Sequence, residues 1–282
     1  MPVENPSKYI NTIKNLTTVH WLITEKCNES CKFCYGIFRN NHISLKDAKK
    51  IVNFLKSIGI TKIKFTGGEP LLYPYLKEVI LYAKKLGIHT HIHTNGLLVD
   101  DKFIEFVTKH FDMNDDFSLS LDGSTEEIQT AVTRPKGHFS KNITILKKLK
   151  DKKFPISVKT LVCKINYNDI INLGRLLSDY KVDWVLFEFR PLERGKKNRK
   201  MFEISHKQYI SVTNDITKNF SKNFKLIFIP KKVGHWPYIF IDALGEMFTI
   251  HPKFEKDIFV GNLLKEDTQK LLDKLKRIHG AK

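Results

Sequence analysis

The strongest constraint on the fold is a regular alternation of strand-like and helix-like segments along the first two thirds of the chain. Strand patterns lie at residues 18–24, 62–65, 88–93, 116–121, 156–162 and 183–189, and helix patterns at residues 45–58, 74–86, 100–110, 138–150 and 167–178. Strands separated by helices need crossover connections, which makes the sheet mainly parallel. Six units are too few for a closed barrel, so we predict an α/β fold with a partial (β/α)6 TIM-like barrel.

The remainder of the chain has a different pattern. A basic loop at residues 190–200 is followed by a helix at 205–220, short strands at 225–229, 238–241 and 246–250, and a helix near 265–278. We predict that these short strands are antiparallel, with a turn at residues 242–245 between the last two. Two domains are therefore expected: the barrel at residues 1–200 and a small α+β appendage at residues 201–282.

Composition limits the protein class. Of the 282 residues 41 % are hydrophobic, enough to bury a core. The N-terminal residues lack the apolar run of a signal peptide, and no stretch has the length of a membrane span. We therefore expect a soluble cytoplasmic protein with no membrane partner.

The charge balance is strongly basic. Lys and Arg number 48 against 30 Asp and Glu, a formal net charge of +18. Such a field attracts anions, and we expect an anionic small molecule or a peptide as substrate, with nucleic acid a less favoured partner. A general enrichment in lysine explains the excess equally well.

Three of the four cysteines form a tight group, Cys27, Cys31 and Cys34, with the spacing C-x3-C-x2-C. Thiolates are the usual ligands of iron–sulfur clusters, and a [4Fe–4S] cluster held by three of them keeps one iron open for a substrate or cofactor. The alternative is a zinc site completed by a histidine such as His42, although the spacing differs from that of zinc fingers. Either reading argues against a disulfide framework.

A second motif, Gly67-Gly68-Glu69-Pro70, directly follows the second strand. The cysteine group follows the first strand, so both motifs lie at the same end of a parallel sheet. Glycine lets backbone approach a ligand closely. This turn therefore suits the binding of an amino group and a carboxylate.

Together the two motifs resemble those of the radical S-adenosylmethionine (radical SAM) superfamily, and the resemblance covers residues 18–190. It implies an oxidoreductase in which Cys27, Cys31 and Cys34 ligate one [4Fe–4S] cluster and S-adenosyl-L-methionine (SAM) chelates the fourth iron. Reductive cleavage of SAM gives a 5′-deoxyadenosyl radical that abstracts a hydrogen atom from the substrate. An electron donor such as flavodoxin or ferredoxin is then required.

The resemblance also implies roles for residues at the strand ends. Phe33, before the last cysteine, packs near the adenine of SAM. The methionyl amino group is held by Gly67, Gly68 and Glu69, ahead of Pro70. Contacts to the ribose and carboxylate fall to Asn95, Ser120 and Asp122. Arg134, in residues 133–139, resembles an arginine that pairs with the SAM carboxylate.

Further candidates follow from position along the strands. Lys159 in the fifth strand, and Glu188 and Arg190 at the end of the sixth, are substrate contacts if they point inward, and arginine suits carboxylate or phosphate. Outward-facing charges are equally compatible with the pattern. Cys163 is either a hydrogen-atom donor to a substrate radical or a packing residue. Of the three histidines of the third strand, His93 is the one nearest the strand end that carries the motifs.

Two segments of the predicted appendage, residues 239–248 and 260–267, resemble the SPASM/twitch extension of many radical SAM enzymes. Residues 190–195 resemble a run found in the same group. That extension normally binds auxiliary clusters through cysteines, but no cysteine follows Cys163 in this chain. The resemblance therefore implies a SPASM-like scaffold without an auxiliary cluster.

These patterns predict an enzyme that modifies a peptide or a small biosynthetic intermediate, because SPASM-like scaffolds are used mostly for such substrates. The alternative is a viperin-like radical SAM enzyme that acts on a nucleotide. The net charge fits that alternative, although the sixth strand has no lysine where that group tends to place one. A third hypothesis is a non-catalytic sensor that binds the cluster and SAM.

Overall fold

The computed structural model describes residues 17–34, 36, 41–231, 239–250 and 257–279. The strands are β1 Thr18–Thr24, β2 Lys62–Gly67, β3 His89–Thr94, β4 Asp116–Ser120, β5 Ile156–Val162, β6 Asp183–Glu188, β7 Leu226–Ile229, β8 Ile239–Ile241, β9 Glu246–Ile250 and β10 Asp257–Asn262. The α-helices are α1 Leu45–Ser57, α2 Leu76–Lys85, α3 Asp101–His110, α4 Glu126–Ala131, α5 His138–Leu149, α6 Ile170–Leu177, α7 Glu193–Lys197, α8 Arg199–Phe202, α9 His206–Phe220 and α10 Thr268–His279. A short 3-10 helix covers Pro70–Leu72.

The alternation predicted for the first two thirds of the chain is confirmed from β1 to β6. Local signals explain the helix starts. The Ser44 side chain accepts a hydrogen bond from the Asp47 amide at the start of α1, and Asp100 accepts one from Phe103 at the start of α3. A reciprocal capping box between Ser205 and Gln208 starts α9.

The chain divides into two compact units, and the boundary between residues 91 and 92 falls inside β3. The first unit comprises residues 1–26, 38–91 and 233–282. Its strands follow the order β10-β9-β8-β1-β2, in which β1 pairs in parallel with both β2 and β8. The pairs β8–β9 and β9–β10 are antiparallel. Trp21 of β1 is fully buried, with its ring 5.8 Å from that of Phe65 in β2.

The second unit comprises residues 27–37 and 92–232. Its strands β4, β5, β6 and β7 are neighbours in that order and all pair in parallel. Trp184 of β6 is fully buried against Phe220 of α9 and against Phe224, at ring distances of 6.4 and 5.5 Å. The Tyr209 hydroxyl of α9 donates to the Leu186 carbonyl at 2.8 Å. Helix α9 therefore packs on the Trp184 side of this sheet.

Several local predictions were wrong. The strand predicted at residues 225–229 as antiparallel is β7, which is parallel to β6. The predicted basic loop at residues 190–200 contains most of two short helices, α7 and α8. Helix α4 and strand β10 were not predicted, since neither segment carries a periodic apolar pattern of useful length.

The predicted domain division at residues 200 and 201 stays a prediction. The compact units follow another division, because α9 and β7 lie with β4–β6 while β8–β10 lie with β1. No helix in the described parts of the chain combines the length and the apolar character that crossing a lipid bilayer requires.

Candidate active site

The cysteine loop, residues 27–34, carries three cysteines, and none of them forms a disulfide. The Cys31 thiol is buried, and those of Cys27 and Cys34 are partly buried. The Glu29 amide donates to Cys27 Sγ at 3.4 Å, and the Gly36 amide donates to Cys34 Sγ at 3.3 Å. Such N–H contacts hold a sulfur atom in place and stabilise negative charge on it.

Cys31 has a more polar environment than its burial suggests. Its thiol donates to Glu29 Oε2 at 3.1 Å, and Arg134 Nη1 approaches the same sulfur at 3.5 Å. Burial raises the pKa of the Cys31 thiol, and the Arg134 guanidinium opposes that rise. Burial also raises the pKa of Cys34, although the Gly36 amide, Arg134 and Arg194 each act to lower it. Ligation of a metal removes these thiol protons.

Arg134 joins the cysteine loop to the end of β4. Its Nη1 donates to Glu29 Oε2 at 2.6 Å and its Nε donates to Asp122 Oδ2 at 2.8 Å. The three side chains are at most 10 % exposed, so the ion pairs are shielded from water. Burial alone would lower the pKa of Arg134. The two carboxylates favour its charged form more strongly, so the pKa of Arg134 lies well above its usual range. The prediction that Arg134 pairs with the SAM carboxylate stays a prediction.

Asp122 is fixed by further hydrogen bonds in addition to Arg134. Its Oδ1 accepts the Leu161 amide at 2.7 Å, its carbonyl accepts Asn166 Nδ2 at 2.7 Å, and its amide donates to Gln129 Oε1 at 2.7 Å. These partners lie in α4 and in residues 161–166. Asp122 is therefore a rigid anchor for Arg134.

His138 completes the network from the side of α5. Gln129 Nε2 lies 2.9 Å from His138 Nδ1. Because Gln129 Oε1 already accepts from Asp122, its Nε2 is the donor, and His138 carries its proton on Nε2. That nitrogen lies 3.3 Å from Glu29 Oε1. Burial and the nearby Arg134 lower the pKa of His138 to about 3, so the ring is neutral.

A second set of contacts holds the other side of the cysteine loop. The Lys32 amide donates to Thr133 Oγ1 at 3.1 Å, and Asn198 Nδ2 donates to the Lys32 carbonyl at 3.1 Å. A Cβ atom on Gly195 would lie 3.1 Å from the Phe33 carbonyl, so α7 approaches the loop closely. The Arg134 guanidinium carbon lies 4.9 Å from the Phe33 ring centre, a cation–π contact.

The Gly67–Pro70 segment forms a tight turn within the first unit. Gly67 has a φ of +132°, and a Cβ atom there would lie 2.3 Å from the Thr24 carbonyl oxygen, so only glycine fits. The amides of Gly68 and Glu69 donate to the carbonyls of Thr24 and Lys26 at 2.8 and 2.7 Å. Lys26 directly precedes Cys27 in the chain, so the turn holds the segment that enters the cysteine loop.

Glu69 and Asn95 have structural partners in addition to their predicted roles. The Glu69 side chain is 1 % exposed, and its Oε1 accepts the Leu71 amide at the start of the 3-10 helix that contains Pro70. Asn95 Nδ2 donates to Asn28 Oδ1 in the cysteine loop at 2.7 Å. The roles of these residues in holding SAM, like those of Ser120, Asp122 and Phe33, stay predictions.

One face of β4 and β5 carries polar groups away from α9. Trp184 is in register with Val158, so Lys159 lies on the opposite face of β5, with Ser120 beside it in β4. The Lys159 ammonium contacts the ring of His93. All three side chains are partly exposed. Lys159 therefore brings a positive charge to a polar face of the second unit.

Glu188 and Arg190 contact the segment after β7. Glu188 is 2 % exposed; its Oε2 lies 2.9 Å from His206 Nδ1 and accepts the Lys231 amide at 2.6 Å. Arg190 Nη2 donates to the Pro230 carbonyl at 3.0 Å. Glu188 is in register with Val162 and lies on the same side as Trp184, towards α9. Their predicted substrate contacts stay predictions.

Cys163 is fully buried in an apolar cluster with Val132, Phe189 and Phe202. Its environment raises the thiol pKa to about 12, chiefly through burial. Phe33 packs against the same cluster, and its ring meets that of Phe202 edge-on at 5.7 Å. This placement favours a packing role, and the hydrogen-donor role stays a prediction.

Sequence reasoning missed Glu29, Gln129 and His138. Glu29 joins Arg134 across 105 positions, and no local pattern reports such a contact. One signal was available, since a carboxylate between thiolate ligands is electrostatically costly unless a cation faces it. His138 follows Arg134 in the same short run, which places both near the loop once Arg134 is there.

The chain belongs to the radical SAM superfamily. The family model described as "Radical SAM superfamily" matches residues 21–177, more than half of the chain. Members are enzymes that use a [4Fe–4S] cluster and SAM, so the enzyme class and both cofactors predicted from the motifs are confirmed.

Two curated relatives are both named S-adenosylmethionine-dependent nucleotide dehydratase. The protein from Flammeovirga pacifica is 26 % identical over 257 residues, which covers 86 % of this chain and 85 % of the relative. The protein from Lacinutrix mariniflava is 28 % identical over 215 residues, which covers 71 % of this chain and only 44 % of the relative. The chain thus spans less than half of one of these relatives and most of the other.

Solved structures share the fold. SuiB from Streptococcus suis bound to S-adenosylmethionine has a TM-score of 0.73 at 17 % identity, and the match covers 94 % of this chain and 67 % of SuiB. SuiB bound to the precursor peptide SuiA has a TM-score of 0.68 at 16 % identity, covering 89 % and 63 %. The predicted α/β class, a mainly parallel sheet in a partial (β/α)6 barrel, is thereby confirmed.

The residues present fit a [4Fe–4S] cluster. The loop offers three thiols, each with an N–H group or an arginine against its sulfur, and such contacts stabilise the thiolate form that ligates iron. Within the residues that the structure describes, no three His, Cys, Asp or Glu side chains converge on a single metal ion. Cys27, Cys31 and Cys34 are the residues that would hold the cluster.

Proposed function

We propose that this chain cleaves SAM reductively at one [4Fe–4S] cluster held by Cys27, Cys31 and Cys34, and acts on a nucleotide. When bound, the cluster and SAM supply a 5′-deoxyadenosyl radical that takes a hydrogen atom from the substrate. The sequence alone favours a peptide or a small intermediate as substrate, with a nucleotide as the alternative. Two observations favour the nucleotide: the polar face that contains Lys159, and the names of the two curated relatives.

The polar face of β4 and β5 carries the argument. Lys159 contacts His93 there, with Ser120 alongside in register. A lysine is a compact point charge that suits phosphate, and a hydroxyl and an imidazole add hydrogen-bonding groups for a sugar or base. Both relatives named above are nucleotide dehydratases by name, and one aligns over nearly its whole length.

The remaining residues act on the cysteine loop. Arg134 holds Glu29 and Asp122 together, and the Nε2 atom of the neutral His138 lies 3.3 Å from Glu29 Oε1. Asn198 and Thr133 fix the backbone of Lys32. A loop held from both sides would keep its three cysteines, the residues that would hold the cluster, at constant positions relative to β4. Such preorganisation is what directs a reactive species to one hydrogen atom.

A panel experiment tests the substrate class. The protein is reconstituted anaerobically, and iron and sulfide are counted, with about four irons per chain expected for one cluster. It is then incubated with SAM, dithionite and nucleoside mono-, di- or triphosphates or peptides. We expect 5′-deoxyadenosine to increase with a nucleotide. Formation only with peptides would contradict the proposal.

A lysine variant locates the anion contact. Lys159→Met should raise KM for the nucleotide by about tenfold, the effect of one lost charge contact. The matched control is Lys164→Met, an exposed lysine two residues after β5, with KM expected within about twofold of wild type. Equal KM values in both variants would remove Lys159 from the site.

A peptide substrate is the second candidate. The observation that favours it is the antiparallel group β8–β10 with α10, which covers the two segments that resemble the SPASM/twitch extension. SuiB, with a precursor peptide bound, shares the fold at 16 % identity. A similar fold at that sequence identity does not identify the substrate, so the peptide ranks second.

A further inference from the structure

The most basic stretch of the chain adjoins the cysteine loop. Residues 190–200, the basic segment, contain six Lys or Arg residues against the single acidic residue Glu193. The side chains of Lys196, Lys197, Arg199 and Lys200 are exposed. In the described part of the chain Lys196, Lys197 and Lys200 form no ion pair, whereas Arg199 pairs with Glu203. The segment therefore presents uncompensated positive charge to solvent.

This segment is fixed against the loop that carries the thiols. Asn198 donates to the Lys32 carbonyl at 3.1 Å, and Lys32 itself is exposed between Cys31 and Cys34. Gly195 lies close enough to the Phe33 carbonyl that a Cβ atom there would be 3.1 Å away. Phe202, at the end of α8, packs edge-on against Phe33. A partner bound to the basic segment would thus lie next to residues that directly contact the cysteine loop.

The same surface carries exposed apolar side chains among its charges. Leu192 is 51 % exposed and Met201 is 40 % exposed, at either end of the lysine-rich part. Apolar residues surrounded by charges of one sign are typical of protein interfaces, where the charges steer a partner of opposite sign. A nucleic acid would use the cations but would gain little from Leu192 and Met201.

We propose that the basic segment, together with Lys32, is the docking surface for a small acidic one-electron carrier protein. The inference rests on the proposed cluster at Cys27, Cys31 and Cys34. In the step it serves, the reduced carrier is oxidised by one electron and the cluster is reduced by one electron. No proton or leaving group moves at the docking surface.

Charge reversal tests the surface directly. The variant Lys196→Glu/Lys197→Glu/Lys200→Glu is compared with Lys265→Glu/Lys270→Glu/Lys276→Glu, which reverses three exposed lysines in and before α10 and alters the net charge equally. The probe is reduced flavodoxin, an acidic carrier. Its affinity is measured by calorimetry, with and without reconstituted cluster. The reduction rate is followed through the visible absorbance and paramagnetic resonance signal of the cluster.

We expect the basic-segment variant to bind flavodoxin about tenfold more weakly and to be reduced correspondingly more slowly, while the control stays within about twofold of wild type. Raising the salt concentration should slow reduction of the wild type more than that of the variant. Dithionite, which needs no docking, should reduce all three proteins alike. A variant that fails to fold is replaced by the corresponding triple Gln variant.

Equal flavodoxin binding and reduction in the two triple variants would overturn the proposal. So would loss of binding to a short RNA or DNA with flavodoxin binding intact, because the surface would then serve a nucleic acid. Failure of dithionite to reduce the wild type, or absence of iron after reconstitution, would instead count against the proposed cluster. Flavodoxin binding to the cluster-free chain would still decide the docking surface.

Discussion

At the scale of single residues, the cysteine loop is positioned by one arginine between two carboxylates. Arg134 links Glu29 and Asp122. Because all three are shielded from water, each depends on the others for its charge. Removing one of the three side chains leaves a buried charge without its partner. The stability lost in this way is far larger than the stability that an ion pair adds relative to apolar residues at the same positions.

Arg134→Met should therefore strongly destabilise the chain. We expect a loss of about 3–5 kcal/mol in the free energy of unfolding, the usual cost of leaving a buried charge unpaired. The measurement is chemical denaturation of the cluster-free protein. Lys148→Met, which removes the exposed partner of Asp101, is the control and should change little, because solvent screens that pair. Similar losses in both variants would show that the Arg134 network is not specially coupled.

His138 predicts a dependence of stability on pH. Its pKa is lowered to about 3 in the folded chain, whereas the unfolded chain takes up the proton near pH 6.5. The unfolded state thus binds more protons between these values, and stability falls as the pH drops below about 6.5. From pH 7 to pH 5 this group contributes a loss of about 2 kcal/mol.

The comparison that isolates this effect is His138→Gln, measured by denaturation at pH 5, 6 and 7. The variant should lose less stability on acidification than wild type, because it has no ring to protonate. If stability falls equally with pH in the two proteins, the folded chain does not lower the pKa of His138.

At the scale of elements, the turn after β2 depends on a single glycine. The carbonyl of Thr24 occupies the space that any side chain at position 67 would need. The backbone there also has a φ of +132°. Both strand ends, those of β1 and β2, are therefore locked at the entry to the cysteine loop.

Gly67→Ala should destabilise the chain by on the order of 3 kcal/mol, since strain at φ and a backbone clash combine. Gly59→Ala is the matched control. Gly59 also has a positive φ, of +83°, but no atom lies within 4 Å of a Cβ there. We expect a loss of about 1 kcal/mol for that variant. Thermal and chemical unfolding measure both, and equal effects would refute the close contact.

Periodic elements were predictable, and contacts between distant residues were not. The strands β1–β6 and the long helices follow from apolar spacing and from caps such as Ser44 and Asp100. Helices α7 and α8 were missed because their residues are mostly charged and have no helical spacing of apolar residues. The motif cysteines and Gly67–Pro70 were found from their residue pattern and from their positions after the first two strands. The Glu29–Arg134–His138 network depends on tertiary packing that no local pattern encodes.

At the scale of the whole molecule, the C-terminal residues take part in both compact units. Helix α9 and β7 cover β6, while β8 pairs with β1. A chain cut after residue 200 would expose Trp184 on one strand and would open the edge of β1 beside Trp21 on another. Both tryptophans are fully buried in the full chain.

We therefore expect residues 1–200, expressed alone, to be insoluble or to aggregate. Soluble yield and size-exclusion behaviour measure this against the full chain. The matched cut, after residue 264, removes α10 but keeps β8–β10, and should retain more soluble protein. A monomeric, cooperatively unfolding 1–200 fragment would instead establish the predicted domain boundary.

Among the residues that the structure describes, strand β10 pairs with one strand, β9, and this pairing is interrupted. The register shifts between Phe259 and Gly261, and a Cβ atom on Gly261 would collide with Leu271 of α10 and with Glu266, so one face of the strand is covered there. A strand with an interrupted register is a poor template for a strand from another molecule. Filament growth and domain exchange through β10 are thereby disfavoured.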